Sequence, residues 1–250
     1  MLLFSTVFFD KYKMKESIYS EAYIKGLFNR MSSSYERVNY LSSFGFSLRW
    51  RKQFLRPMKM SSTAPVQIID LMTGMGETWG AIHQMFPMAK LTALDFSEGM
   101  LTYAQNKNKK KFNAQVEVTL QNVLHNDLPS DFYDGVTCAF GLKTLNPEQV
   151  EILAQQVKRI LKPGGQFSFI EVSEPTNYVL KLLYSFYLST IIPLLGKMLF
   201  GGVREYKMLW EYTHRFKNAK EVETIFQSTG LTTTYQTYFF GCATGVYGKK

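Results

Sequence analysis

Apolar positions along the chain follow two periods. Short apolar, β-branched-rich runs recur at Val66–Leu71, Leu91–Asp95, Val116–Gln121, Gly135–Phe140 and Gln166–Val172, each of strand length and bounded by polar or glycine-containing turns. The segments after the first, second and fourth runs carry helical spacing instead. Such regular alternation predicts an α/β sheet of mostly parallel strands covered by helices. The helix from Pro147 to Leu161 is the best delimited: a proline opens its first turn, and Lys162-Pro163-Gly164-Gly165 reads as a stop with a glycine C-cap. Downstream, a helix is expected at Ala219–Ser228, then strands around Thr232–Phe239 and Cys242–Tyr247. Their hairpin-like order adds an antiparallel strand, for seven strands in a Rossmann-like, doubly wound α/β fold.

Two stretches stand outside this alternation. A helical region, about Ser17 to Lys59, precedes the first strand, and an apolar insertion, about Ser173 to Lys217, interrupts the series after the fifth. Residues 1–60 therefore read as a tail and helical region, and 61–250 as one domain carrying a cap at about 173–217. The longest uncharged run of the insertion, Leu182 to Gly196, contains Pro193 and falls short of the roughly 20 residues a spanning helix needs. Its apolar excess (Tyr184, Phe186, Tyr187, Ile191, Leu195, Leu199, Trp210) predicts an acceptor pocket, a subunit interface that makes a homo-oligomer, or a segment resting on a membrane surface.

Composition changes this picture little. Apolar residues make up 46% of 250 residues, enough for a sizeable core. The two cysteines, Cys138 and Cys242, lie in strand-like runs without metal-ligand spacing, which predicts buried reduced thiols, no metal site and a cytoplasmic, reducing compartment. The apolar N-terminus has no basic residue ahead of it and no cleavage site after it, so it does not read as a signal peptide; the start reads equally as Met1 or Met14. The net charge of +9 is spread over clusters. Lys107 to Lys111 suit a helix C-terminus, whereas Arg49, Arg51, Lys52 and Arg56, interleaved with Trp50 and Phe54, can grip phosphates or anionic lipid headgroups. No recognisable nucleic-acid module is present, so no nucleic-acid partner is expected.

The chemistry is concentrated at the end of the first strand. Val66-Gln67-Ile68-Ile69-Asp70-Leu71 runs into Met72-Thr73-Gly74-Met75-Gly76-Glu77, and the second strand ends in another acid, Asp95. A glycine turn lets a ligand approach bare backbone, and an acid at the next strand tip can accept ribose hydroxyls, so the pattern predicts a nucleoside cofactor. A dinucleotide site wants a third glycine where Trp79 stands, and Asp70 would repel a pyrophosphate. The same carboxylate attracts the ammonium and sulfonium of S-adenosylmethionine (SAM). SAM is therefore expected.

Three further stretches carry a resemblance. These are Ser34-Tyr35-Glu36-Arg37-Val38-Asn39 followed by Leu41-Ser42-Ser43-Phe44-Gly45 and Trp50; Phe140-Gly141-Leu142-Lys143; and Arg159-Ile160-Leu161-Lys162-Pro163-Gly164-Gly165 with Glu171-Val172-Ser173-Glu174-Pro175. In this order the chain resembles the ubiquinone/menaquinone-biosynthesis (UbiE-like) C-methyltransferases, class I SAM-dependent enzymes, from about Phe28 to Lys250. It departs from the family pattern at Glu36 (usually Asp), Val38 (Met), Ser47 (His) and Thr73 (Gly), and at Lys143, where the family has arginine.

The resemblance implies a class I methyltransferase fold with an N-terminal helical lid, and methylation of a ring carbon on an aromatic or quinol acceptor with an apolar portion. It implies cofactor contacts from Asp70, Thr73, Gly74 and Gly76 at the methionine end, Asp95 at the ribose, and Phe96, Asn122 and Val123 at the adenine, with Phe140 nearby. Tyr35 reads either as part of the lid or as a core tyrosine. Lys143 is the expected donor to the acceptor oxygen, Glu171 an orienting carboxylate, and Tyr206 and His214 further candidates from the cap. Methylation at O or N, or of another scaffold, and a silent SAM-binding subunit remain open alternatives.

Overall fold

The computed structural model describes residues 18–32, 45–192, 194 and 204–250, with 204–207 described by backbone alone. Strands β1 (Val66–Leu71), β2 (Ala89–Asp95), β3 (Glu117–Leu120), β4 (Tyr133–Ala139), β5 (Leu161–Val172), β6 (Thr232–Tyr238) and β7 (Ala243–Lys249) form one sheet in the order β3-β2-β1-β4-β5-β7-β6. The first five are parallel, and β7 inserts antiparallel between β5 and β6. The order reverses between β1 and β4, both at the centre. A crevice opens at such a reversal, outside the carboxyl ends of the strands.

Successive residues of each strand feed opposite faces. Ile69, Val136 and Phe167 join the core under α5 (Pro147–Ile160) and α8 (Lys220–Ser228). Ile68, Ala93 and Ile170 pack on the other side against Trp79 and Ile82 of α3 (Trp79–Met85), Leu101 of α4 (Glu98–Lys111) and Trp50 of α2 (Phe46–Gln53). Both thiols are buried and free, Cys138 in the first core and Cys242 in the second, and burial pushes their pKa values up.

The helix α5 opens on a capping box: the Asn146 side chain accepts from the Gln149 N–H at 2.8 Å, and Gln149 Oε1 accepts from the Asn146 N–H at 3.0 Å. Its other end differs from the expectation. The helix stops at Ile160, and Leu161 is already extended (φ −70°, ψ 136°), so no glycine caps it. Lys162–Gly165 instead bulge out of β5, where the pairing jumps from Tyr133–Leu161 to Gly135–Gln166. Gly164 takes φ +75°, and a Cβ on Gly165 would lie 2.9 Å from the Lys162 carbonyl oxygen.

The insertion forms α6 (Tyr178–Phe186), which continues through a π-helical turn (Tyr187–Ile191), and α7 (Arg204–Phe216). It rests on α1 (Glu21–Met31): Leu27 and Met31 pack with Leu188, Ile192 and Tyr212, and Tyr184, Tyr187 and Trp210 border this third core. The Tyr212 hydroxyl donates to the Ile18 carbonyl at 2.5 Å. No helix among the described residues is long and apolar enough to cross a membrane.

Candidate active site

At the exit of β1 the chain must turn sharply, and Asp70 holds the turn from below. Its carboxylate is 1% exposed and accepts from Thr73 Oγ1 at 2.6 Å and Thr137 Oγ1 at 2.8 Å. Burial pushes its pKa up to about 6, against those two hydrogen bonds. Thr73 Oγ1 in turn accepts from Trp79 Nε1 at 2.8 Å. This chain of bonds explains the indole where a dinucleotide site would have glycine. Gly76, at φ +75°, is needed because a Cβ there would meet the Trp79 ring at 2.6 Å.

The turn is tied to the next strand. Asp95, at the tip of β2, accepts from the Gly74 N–H at 2.8 Å and from the Ser97 N–H at 3.0 Å. With the Phe96 N–H also bonded to it, the carboxylate keeps acceptor capacity for a ligand hydroxyl. Burial raises the Asp95 pKa to about 6, opposed by these backbone donors.

The exit of β4 supplies the opposite wall. Phe140 adopts φ +70°, costly for a bulky residue, and a 3-10 turn, Leu142–Thr144, follows. Lys143 is 6% exposed; its Nζ donates to Glu171 Oε1 at 2.7 Å and to the Phe140 carbonyl at 3.0 Å, and its own N–H donates to Glu171 Oε2 at 3.1 Å. Glu171 is fully buried. The ammonium expected to face the acceptor is thus engaged within the fold, and the pair clamps the turn.

Thr73, Gly74, Asp95, Phe96, Asn122, Val123 and Phe140 line a single pocket at the crevice. Asp70 and Gly76 do not reach its wall: one braces the turn from beneath, the other makes room for Trp79. From α1 and the residues before it, Tyr19, Ile24 and Phe28 also line the pocket. Gln149 bridges the two sides, its Nε2 donating to the Tyr19 carbonyl at 3.1 Å. Beyond Tyr19 and Gln149 lies a second groove, lined by Lys143 and His214.

The described part of the cap packs on α1 or faces solvent. No described residue of 173–217 lines the first pocket, because Tyr184, Tyr187 and Trp210 are spent packing the cap onto α1 and Phe186 faces solvent. His214 is bonded through Nδ1 to Glu174 Oε1 at 2.6 Å and stacks on Trp210 at 5.3 Å, on the second groove. The side chain of Tyr206 and all of Tyr35, Val38, Leu195 and Leu199 lie outside the described residues. Among those described, no group of His, Cys, Asp or Glu has metal-binding geometry.

Among the pocket residues that the sequence reading missed are Arg51 and Glu77. Arg51, read there as one of a surface cluster, is buried beside the pocket, its guanidinium 4.7 Å from the centre of the Phe140 ring. Glu77 lies opposite, with Oε2 accepting from the Met75 N–H at 3.1 Å. The two charges approach only to 3.9 Å, and Arg51 Nε and Glu77 Oε1 are buried with no hydrogen-bond partner among the described residues. Buried polar atoms left unpaired are costly, so a cation and an anion held this way want a ligand carrying both complementary charges. The amino-acid end of SAM is such a zwitterion, and the donor set fits it.

Fold comparisons define the class. The chain superposes on a SAM-dependent methyltransferase from Aquifex aeolicus (TM-score 0.55, 20% identity, 79% of this chain and 88% of that one). It also superposes on Haemonchus contortus phosphoethanolamine N-methyltransferase 2 in complex with SAM (TM-score 0.56, 18% identity, 76% and 38%). These likenesses show that the chain has the class I, Rossmann-like fold. A model of the ubiE/COQ5 methyltransferase family matches residues 15–250, and the chain belongs to that family. Similar proteins include the demethylmenaquinone methyltransferases of Lactiplantibacillus plantarum (30% identity; 91% of this chain, 95% of that one) and Geobacillus stearothermophilus (31%; 92% and 97%).

Proposed function

We propose that the protein methylates a ring carbon of a quinol-type aromatic acceptor with an apolar tail. The observation that carries this reading is the pocket at the β1/β4 crevice. Polar groups of Thr73, Asp95 and Asn122 and the aromatic and aliphatic side chains of Tyr19, Ile24 and Phe28 line it together. The demethylmenaquinone methyltransferases at 30–31% identity support the acceptor class.

Bound SAM supplies an electrophilic methyl group on a sulfonium. The protein's part is to align, desolvate and hold charge. Asp95 would accept the ribose hydroxyls, Phe96 and Val123 would flank the adenine, and Asn122 would meet its amine. Glu77 and Arg51 would take the ammonium and carboxylate of the methionine end. The turn Phe140–Thr144, fixed by Lys143 and Glu171, forms the wall shared by cofactor and acceptor, and the residues around α1 exclude water. A ring hydroxyl that loses its proton makes the neighbouring carbon nucleophilic, so the acceptor provides much of its own activation.

Incubation of the protein with labelled SAM and demethylmenaquinol tests the proposal, with the product located by mass spectrometry and fragmentation. A methyl on a ring carbon is the expected result. Label on oxygen, or transfer only to a different scaffold, would replace this acceptor; binding of SAM without any transfer from cell extracts would indicate a silent subunit.

A further inference from the structure

The apolar residues of the cap that do not pack on α1 point the other way. Tyr178, Val179, Leu182, Leu183 and Phe186 fall on one arc of α6, and all are more than half exposed, Tyr178 at 78%. The surface does not end with the helix. A Cβ on Gly241 would lie 3.5 Å from Pro175, two residues before the α6 N-cap Asn177, so the turn Phe239–Gly241 abuts the start of α6. That turn holds Phe239 and Phe240 at φ +42° and +55°, a left-handed backbone that bulky residues adopt at a cost, and leaves Phe240 76% exposed. The Phe239 ring touches Phe46 of α2 at 4.4 Å, and Leu48 on the same helix is half exposed. Isolated exposed apolar side chains are ordinary; a continuous run over three elements is not.

Charge identifies what such a surface meets. On α2 and just after it, Arg49, Lys52 and Arg56 are exposed, and none has a hydrogen-bond or ion-pair partner among the described residues. The cation on the apolar helix itself, Lys181, is neutralised by Glu174 at 2.7 Å. Unpaired cations therefore border the apolar run instead of interrupting it. We propose that α6, the Phe239–Gly241 turn and α2 form one face that docks on an anionic lipid bilayer, with the aromatic and aliphatic side chains entering the headgroup boundary and Arg49, Lys52 and Arg56 meeting lipid phosphates. A second copy of the chain would satisfy the apolar side chains but would set the same three cations against each other across a two-fold axis.

The face is tested without any methyl acceptor, so its failure and that of the acceptor proposal are distinguishable. The full chain is sedimented with vesicles of phosphatidylcholine alone and of phosphatidylcholine with phosphatidylglycerol, at low and high salt. Binding is expected with the anionic vesicles and should weaken with salt. The triple variant Arg49→Gln, Lys52→Gln, Arg56→Gln should lower partitioning on the order of 100-fold, at about fivefold per cation, and Leu183→Ser with Phe240→Ser should lower it independently, while SAM binding persists in both. Equal sedimentation of wild type and both variants would overturn the proposal. So would a dimer, seen by light scattering, that the Leu183 and Phe240 substitutions dissociate without any vesicle binding by the wild type.

Discussion

Lys143 and Glu171 form a buried ion pair at 2.7 Å beneath the wall of the pocket. The carboxylate takes both the ammonium and the backbone N–H of the same lysine, and the ammonium also bonds the Phe140 carbonyl. Glu171 ends β5 while Phe140 leaves β4, so the pair fixes how the β4 exit sits against the sheet. A family arginine replaced by lysine thereby keeps a charge at this site, although a guanidinium would need more room.

Lys143→Met should therefore cost stability as well as turnover. Removing the cation leaves Glu171 charged and fully buried, which costs about 3–5 kcal/mol. Denaturant unfolding should show that loss, and Lys143→Met with Glu171→Gln should recover a good part of it. A single Met variant as stable as wild type would mean that the ammonium does not hold the turn. Because Phe140 and Gly141 line the pocket, SAM affinity should fall too.

The strand pattern was legible because buried parallel strands are short apolar runs: β1 was bounded to the residue and most others to within two positions, but β5 begins at Leu161, five residues before the expected Gln166. The end of α5 misled, since Pro163, Gly164 and Gly165 suit a helix stop and a strand bulge equally, and only the pairing with β4 decides between them. At the site, spacing alone singles out Asp70, the glycine turn and Asp95, whereas Asn122, Val123 and Phe140 rest on the family resemblance. Arg51 was found by neither: it sits among exposed cations in sequence, and its burial against Phe140 depends on how α2 docks. The cap was identifiable as apolar but not by partner, because periodicity does not say whether an apolar stripe meets a ligand, α1 or a bilayer.

Gly76→Ala should disrupt the turn. The substitution brings a Cβ to 2.6 Å from the Trp79 ring at a φ of +75°, a clash and a backbone strain together, worth about 1–3 kcal/mol for the strain alone. Trp79→Phe in the same background relieves part of the crowding, at the cost of the bond to Thr73. Non-additive stabilities in this double-mutant cycle are the expected result; simple addition would separate Gly76 from Trp79.

SAM binding should weaken in acid. Asp95, with its pKa raised to about 6 by burial, must be ionised to accept ribose hydroxyls, so affinity should drop about tenfold per pH unit below that value. Stability runs the opposite way. A folded pKa of about 6 against roughly 3.9 unfolded means that Asp70 and Asp95 each favour the folded state below pH ~4, an advantage lost as pH rises through about 6. Calorimetric titrations across this range, paired with thermal melts of the unliganded protein, measure both signs. Asp95→Asn should bind weakly and with little pH dependence; a wild-type-like acid limb in that variant would assign the titration to another group.

Arg51 and Glu77 can be separated from the rest of the pocket by the choice of ligand. If Glu77 Oε1 and Arg51 take the ammonium and carboxylate of the methionine end, Glu77→Gln and Arg51→Leu should each weaken S-adenosylhomocysteine by about 1.5–3 kcal/mol, roughly 10- to 150-fold. Methylthioadenosine shares the adenine, ribose and sulfur but lacks the amino-acid end, so its affinity should hardly change. Removal of Arg51 also loses its packing over Phe140, 4.7 Å away, and that loss would lower both affinities together. Calorimetry with both ligands on both variants distinguishes the cases: a selective loss for the homocysteine ligand assigns the charges to the zwitterion, and a parallel loss for both ligands reduces Arg51 to a support for the Phe140 wall.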